Sequence, residues 1–148
     1  MPAAGTTMRI AITGSEGLIG RGLAAALTAR GDLVRRLDVS APQGDEAHGD
    51  VRDADRVARL LEGCDGVVHL AAVSRVVWGE REPERCVAVN EGGTRNVLAA
   101  ALRGSSRPWV LFASSREVYG EAARLPVDED TPVRPVNVYG RTKARSEE

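Results

Sequence analysis

Lysine is almost missing from this sequence. Lys143 is the only one in 148 residues, against 19 arginines. Net charge is also nearly absent, at −1, which removes the electrostatic case for nucleic acid or an anionic membrane surface as a partner. The arginines are scattered, not striped, and read as solvated helix faces. No apolar run approaches the roughly 20 residues of a membrane span. The opening "MPAAGTTMRI" has no basic segment followed by an apolar block, so it does not read as a secretory signal. Residues 1–7 read as a loose leader, with Met8 as an alternative start. Cys64 and Cys86 have neither metal-ligand spacing nor a disulfide framework. They read as reduced thiols, and no metal site is expected. There is no internal repeat or low-complexity block. These absences point to the cytoplasm. What remains is ordinary: 43% hydrophobic and 28% charged residues in one domain's length.

The elements alternate. "MRIAIT" (8–13) is a short apolar run stopped by Gly14, as a buried parallel strand would be. Residues 17–30 put Ile19, Leu23, Ala26 and Leu27 on one helical face before Gly31. A strand is expected over 32–38, then a short edge strand at "EAHGDV". A helix follows over 53–63, a strand over 65–72, a long helix over 83–102 and a strand over 107–115. A proline-rich loop occupies 120–138, and the last ten residues begin a helix. Such alternation predicts an α/β, Rossmann-type, doubly wound parallel sheet of about five strands in the order 3-2-1-4-5. Its ligand site lies beyond the carboxyl ends of the strands, where strands one and four diverge.

"TGSEGLIG" (13–20) sets Gly14, Gly17 and Gly20 between the first strand and the first helix. One glycine makes the tight turn, one admits a pyrophosphate to the backbone and one lets helix pack on strand. The free N–H groups of the helix start then face the phosphates. A plain glycine-rich turn is the other reading, and the flanking strand and helix argue against it. Asp38 ends the second strand, where a carboxylate accepts both ribose hydroxyls and repels a 2′-phosphate. NAD is therefore expected over NADP, although Arg35 and Arg36 lie nearby. Asp50, in "GDVRD", either takes the adenine amino group or caps the next helix.

Ser114 and Ser115 fall at the end of the strand beside the switch point. Tyr139 and Lys143 are four apart and share a helix face. A phenol ordinarily titrates near 10, so a tyrosine working as a base at neutral pH needs roughly 4 kcal/mol of extra phenolate stabilisation. An ammonium supplies it in a compact form that an arginine fork does not match. A surface i,i+4 pair is the bland reading. A chain with one lysine and two tyrosines makes that coincidence improbable.

The stretches "TGSEGLIG", "LD", "GDVRD", "HLAA", "NEGGTRNVL", "SSREVYG" and "YGRTK" together resemble the extended short-chain dehydrogenase/reductases, in the branch of NAD-dependent epimerases and dehydratases acting on nucleotide sugars. The resemblance runs from Met8 to the end. It implies a pyrophosphate turn at Gly14, Gly17 and Gly20 lined by Leu18 and Ile19, ribose binding by Asp38, and adenine contacts at Asp50 and Val51. It places Leu70, Ala71 and Ala72 under the cofactor and Asn90 near it, with a purely structural Asn90 equally open. It implies catalysis by Ser115, Tyr139 and Lys143, with the last two also touching the cofactor. His48 and His69 match no catalytic position and read as loop and strand-end residues.

Reversible hydride transfer between NAD and a sugar hydroxyl is the implied reaction. Glu117 stands where dehydratases carry an acid, but Arg116 replaces its companion, so epimerase or dehydrogenase chemistry is favoured. Such enzymes run to about twice this length. Residues 8–148 therefore read as the NAD(P)-binding part, without the C-terminal substrate lobe and with an exposed apolar edge at "PWVLFAS". The alternatives are a non-catalytic NAD-binding module or a fragment completed by a partner. A homodimer through the helices 83–102 and 139–148 is a further implication.

Overall fold

The computed structural model describes residues 6–104, 106–122 and 124–148. Four strands form one parallel sheet: β1 (Arg9–Thr13), β2 (Leu33–Leu37), β3 (Gly66–His69) and β4 (Trp109–Phe112), in the order β2-β1-β3-β4. β1 is apolar because both of its faces are covered. Ala11 packs with Val67, Val57, Leu60 and Val97 on one face, and Ile10 and Ile12 pack with Val68 and Leu27 on the other. The two-residue period of a strand thus divides one apolar run between two cores.

Helix α1 (Leu18–Arg30) joins β1 to β2 and is closed by Gly31 in the left-handed conformation. Helix α2 (Ala54–Leu61) joins β2 to β3 and starts at Asp53, whose carboxylate accepts the Arg56 N–H at 3.0 Å. The chain leaves β1 on one side through α1 and returns on the other through α2. The ends of β1 and β3 therefore diverge at the switch point, as expected from the sequence.

The order matches the expectation, with four strands against the expected number of about five. The edge strand expected at "EAHGDV" shrinks to one parallel bridge, Asp38 to His48. Its backbone is engaged in turns instead: Asp45 N–H bonds the Pro42 carbonyl and His48 N–H bonds the Asp45 carbonyl. The long helix over 83–102 is also modified. It runs as α4 (Pro83–Val87), a π-helical turn (Ala88–Gly92) and α5 (Gly93–Arg103). Gly93, Val97 and Ala101 are buried along α5, as their spacing predicts. A short helix, α3 (Val76–Arg81), occupies what reads in the sequence as loop. A 3-10 turn (Arg116–Tyr119) follows β4, and α6 (Val138–Glu147) is the helix expected at the end of the chain. Of the leader 1–7, residues 1–5 lie outside the described residues. Trp109 and Leu111 leave β4 with an exposed apolar side.

Candidate active site

The glycine turn is a cradle defined by missing β-carbons. Gly14 has φ +72°, and a β-carbon there would stand 2.7 Å from the Ala71 backbone nitrogen. A β-carbon on Gly20 would strike the Gly14 carbonyl. The cradle is pinned to β2 by the Gly14 N–H, which bonds the Leu37 carbonyl at 2.8 Å. Gly17 precedes α1 and offers no side-chain cap, and the first turn carries no acid. The positive helix start is thus left open to an anion. Leu18 and Ile19 are exposed at this start and form an apolar lip outside the cavity. Gly20 is buried behind the turn.

A cavity of about 550 Å³ opens beside the cradle. Of the residues expected to touch a cofactor, Gly14, Gly17, Asp38, Asp50, Val51, Leu70, Ala71 and Ala72 line it. Asp38 is held by two backbone donors, Glu16 N–H and Ser40 N–H, each at 2.8 Å. The two arginines beside it are engaged elsewhere. Arg36 pairs with Glu16 at 3.2 Å, and Arg35 donates to the Glu62 carbonyl at 2.8 Å past the end of α2. Both guanidinium groups are thus drawn to partners other than Asp38. Asp50 pairs with Arg52 at 2.6 Å, and that hydrogen bond above all holds its carboxyl below the usual range.

The opposite wall escaped the sequence reading. Val73, Ser74, Trp78, Glu82, Arg85 and Val89 form it. Trp78 is half-exposed, and the Arg75 guanidinium lies 5.1 Å from its ring centre. The one available signal was a tryptophan in a presumed loop of a chain with two tryptophans.

The chemical end stands apart from this cavity: Ser115, Tyr139 and Lys143 do not line it. Ser115 caps the 3-10 turn, and its Oγ accepts the Glu117 N–H at 3.2 Å. Asn137 caps α6, and its Nδ2 donates to Glu117 at 2.7 Å, so the turn after Ser115 is clasped to the start of the Tyr139 helix. Gly140 lets the two approach, since a β-carbon there would stand 2.5 Å from the Glu117 carbonyl. Tyr139 and Lys143 are both buried on α6. Lys143 Nζ donates to the Ala113 carbonyl at 2.8 Å and lies 4.6 Å from the centre of the Phe112 ring. Burial pushes its pKa down to about 8. Ser114 donates to Glu147, one helical turn beyond Lys143. Asn90 is buried in the π turn with its side chain fully engaged. Oδ1 accepts the Val73 N–H at 2.8 Å, and Nδ2 donates to Thr142 Oγ1 at 2.9 Å. It braces the cavity wall without lining it.

The family model described as NAD dependent epimerase/dehydratase matches residues 10–148. The chain belongs to this family. Among epimerase-family relatives, it is 34% identical to a UDP-glucose 4-epimerase of Streptomyces lividans, over 89% of this chain and 43% of the relative. It is 32% identical to a 3β-hydroxysteroid dehydrogenase/Δ5→4-isomerase of Mycobacterium tuberculosis, over 94% of this chain and 41% of that protein. The crystal structure of UDP-glucose 4-epimerase from Brucella ovis in complex with NAD superposes with a TM-score of 0.85 at 30% identity, covering 95% of this chain and 46% of that one. The chain thus spans less than half the length of these relatives. NAD is the cofactor of the family, and the Gly14–Gly20 cradle and the fixed Asp38 carboxylate fit it. Among the described residues no helix is long and apolar enough to cross a membrane, and no cluster of His, Cys, Asp and Glu would hold a metal.

Proposed function

We propose that this chain is the NAD-binding and catalytic segment of an epimerase-family oxidoreductase that moves hydride reversibly between NAD and a hydroxyl of a nucleotide sugar. The observation that carries the reading is the buried Tyr139–Lys143 pair on α6, with Lys143 bonded to the Ala113 carbonyl just past β4. NAD, when bound, supplies the hydride acceptor. Tyr139 takes the proton of the substrate hydroxyl. Lys143 stabilises the phenolate that this requires, because a buried ammonium acts through a low local dielectric. Ser115 already accepts from Glu117 N–H, which leaves its own hydroxyl hydrogen to donate to the substrate oxygen as it becomes a carbonyl. Glu117 is clasped by Asn137 and pairs with Arg116 at 3.4 Å. An acid so engaged favours epimerase or dehydrogenase chemistry over elimination of water.

Asp38, with Arg35 and Arg36 drawn away, supports NAD over NADP. The free, buried Cys64 and Cys86 fit a reducing, cytoplasmic setting. The α5–α6 face, with Leu98 and Leu102 exposed beside Arg145, supports a homodimer. A Leu102→Glu variant that sediments like the wild type would remove that part. Calorimetric titration with NAD and NADP tests the cofactor, with saturable NAD binding expected. NADH absorbance on adding UDP- or dTDP-sugars to the whole protein tests the chemistry. A folded chain that binds no NAD overturns the proposal.

A further inference from the structure

His69 ends β3 and is 1% exposed, yet both ring nitrogens are engaged. Nδ1 lies 2.6 Å from Thr13 Oγ1, and Nε2 lies 3.0 Å from Thr94 Oγ1. Thr13 directly precedes Gly14, and Thr94 lies in the first turn of α5. The partners fix the hydrogens. The single hydroxyl hydrogen of Thr94 goes to the Asn90 carbonyl, 2.6 Å away. Thr94 can then only accept from His69, so Nε2 carries the ring hydrogen. Nδ1 is left as a lone pair and takes the Thr13 hydroxyl hydrogen. Thr13 Oγ1 in turn receives the Ala71 N–H of the cavity wall at 3.3 Å. On the far side the network continues: Asn90 Nδ2 donates to Thr142 Oγ1, and the Thr142 hydroxyl donates to the Tyr139 carbonyl at 2.8 Å.

We infer that His69 is a positioning residue that, as the neutral Nε2–H tautomer, ties the strand end beneath the phosphate cradle to the helix carrying Tyr139 and Lys143. An imidazole suits the place because it presents an acceptor and a donor at a fixed separation. A purely apolar residue would leave two buried threonine hydroxyls short of a partner. The ring stays neutral across the working range: burial, aided by the Lys143 charge, pushes its pKa down to about 4. The functional importance of this tie rests on the NAD reading above, whereas the tie itself does not.

Long-range proton–nitrogen NMR on the 148-residue chain reads the tautomer directly. A protonated Nε2 and a bare Nδ1, unchanged from about pH 8 to about pH 5.5, are expected. The Nδ1–H tautomer, or titration at the ordinary histidine value, overturns the inference. Thr94→Val removes the Nε2–H acceptor with little change of shape. It should displace the Gly14, Ala71 and Tyr139 amide resonances and weaken NAD binding about tenfold, roughly one buried hydrogen bond. Thr94→Ser should restore both. Unmoved Gly14 resonances in Thr94→Val overturn the coupling, as does unchanged NAD affinity. Should Thr94→Val not fold, His69→Gln, which keeps a donor towards Thr94 but withdraws the acceptor from Thr13, is read for the same shifts. A wild type that binds no NAD counts against the cofactor reading, and the amide shifts still decide the coupling.

Discussion

The two ends of the site are built from different materials. The cradle end is backbone: a glycine at φ +72°, a second whose missing β-carbon makes room for a carbonyl, and open N–H groups at the start of α1. The side chain expected to serve it, Asp38, is itself held by backbone donors. The chemical end is side chain: a phenol, an ammonium and a hydroxyl, placed by a helix and a 3-10 turn clasped through Glu117 and Asn137. In the function proposed above the first end works by shape, and an added atom there is expected to spoil it. The second works by charge in a dry setting, and a change of charge or fork geometry is expected to spoil it. Recognition of a nucleotide made of fixed groups suits the rigid end. Proton transfer requires a group whose protonation is tunable.

The largest expected break of this contrast is at Lys143. In the whole protein, Lys143→Arg keeps the charge but not the compact donor, and should cut turnover about a thousandfold while NAD titration shows only modest weakening. Full activity in that variant would remove the role given to Lys143. Next in size is acid stability, which tests the residue joining the two ends. The His69 pKa falls from 6.5 in the unfolded chain to about 4 in the folded one. The unfolded chain therefore binds the extra proton between these values. Stability is full above pH 6.5 and is lost as the pH falls towards 4, by about 3 kcal/mol. Urea unfolding across that window should show the slope, and His69→Gln should flatten it.

At the cradle, Gly14→Ala adds one methyl against Ala71 in a left-handed backbone. NAD affinity should drop about hundredfold by calorimetry; an affinity within a few-fold of wild type would show that shape is not what governs this end. The smallest effect sharpens the contrast further. Asp38→Asn keeps the shape and removes the charge, so NAD binding should weaken only about tenfold, with NADP gaining relative to NAD in the same titration.

What the sequence disclosed follows the same division. The cradle was legible because a glycine turn between strand and helix is a local constraint, readable within eight residues. Lys143 stood out because the chain uses no other lysine, and it lies buried on α6 against the end of β4. The edge strand after Asp38 misled, because its apolar and polar residues fit a strand while its amides are engaged by turns around Pro42 and Asp45. Helix α3 was missed because its place depends on distant packing: Gly79 lies under the Tyr139 backbone, a neighbour 60 positions along the chain. His69 read as a strand end, which it is. Its partners Thr13 and Thr94 lie 56 and 25 residues away, so no local pattern marks them. Asn90 likewise read as a cofactor neighbour or a brace with equal weight, and only its bonds to Val73 and Thr142 show how it is engaged.

The π turn at Ala88–Gly92 sets the rotational phase of everything after it. It contains one more residue per turn than a regular helix would use. Cys86 and Asn90 can therefore look towards α6 while Val97 and Ala101 pack into the core with Ala11 and Val67 of the sheet. Converting the turn to regular α-helix with every residue kept would swing the following helix by about one residue's rotation, about 100°. The small residues would then leave the sheet and longer ones would meet it. A change of coil type that leaves the sequence length untouched is here a steering error.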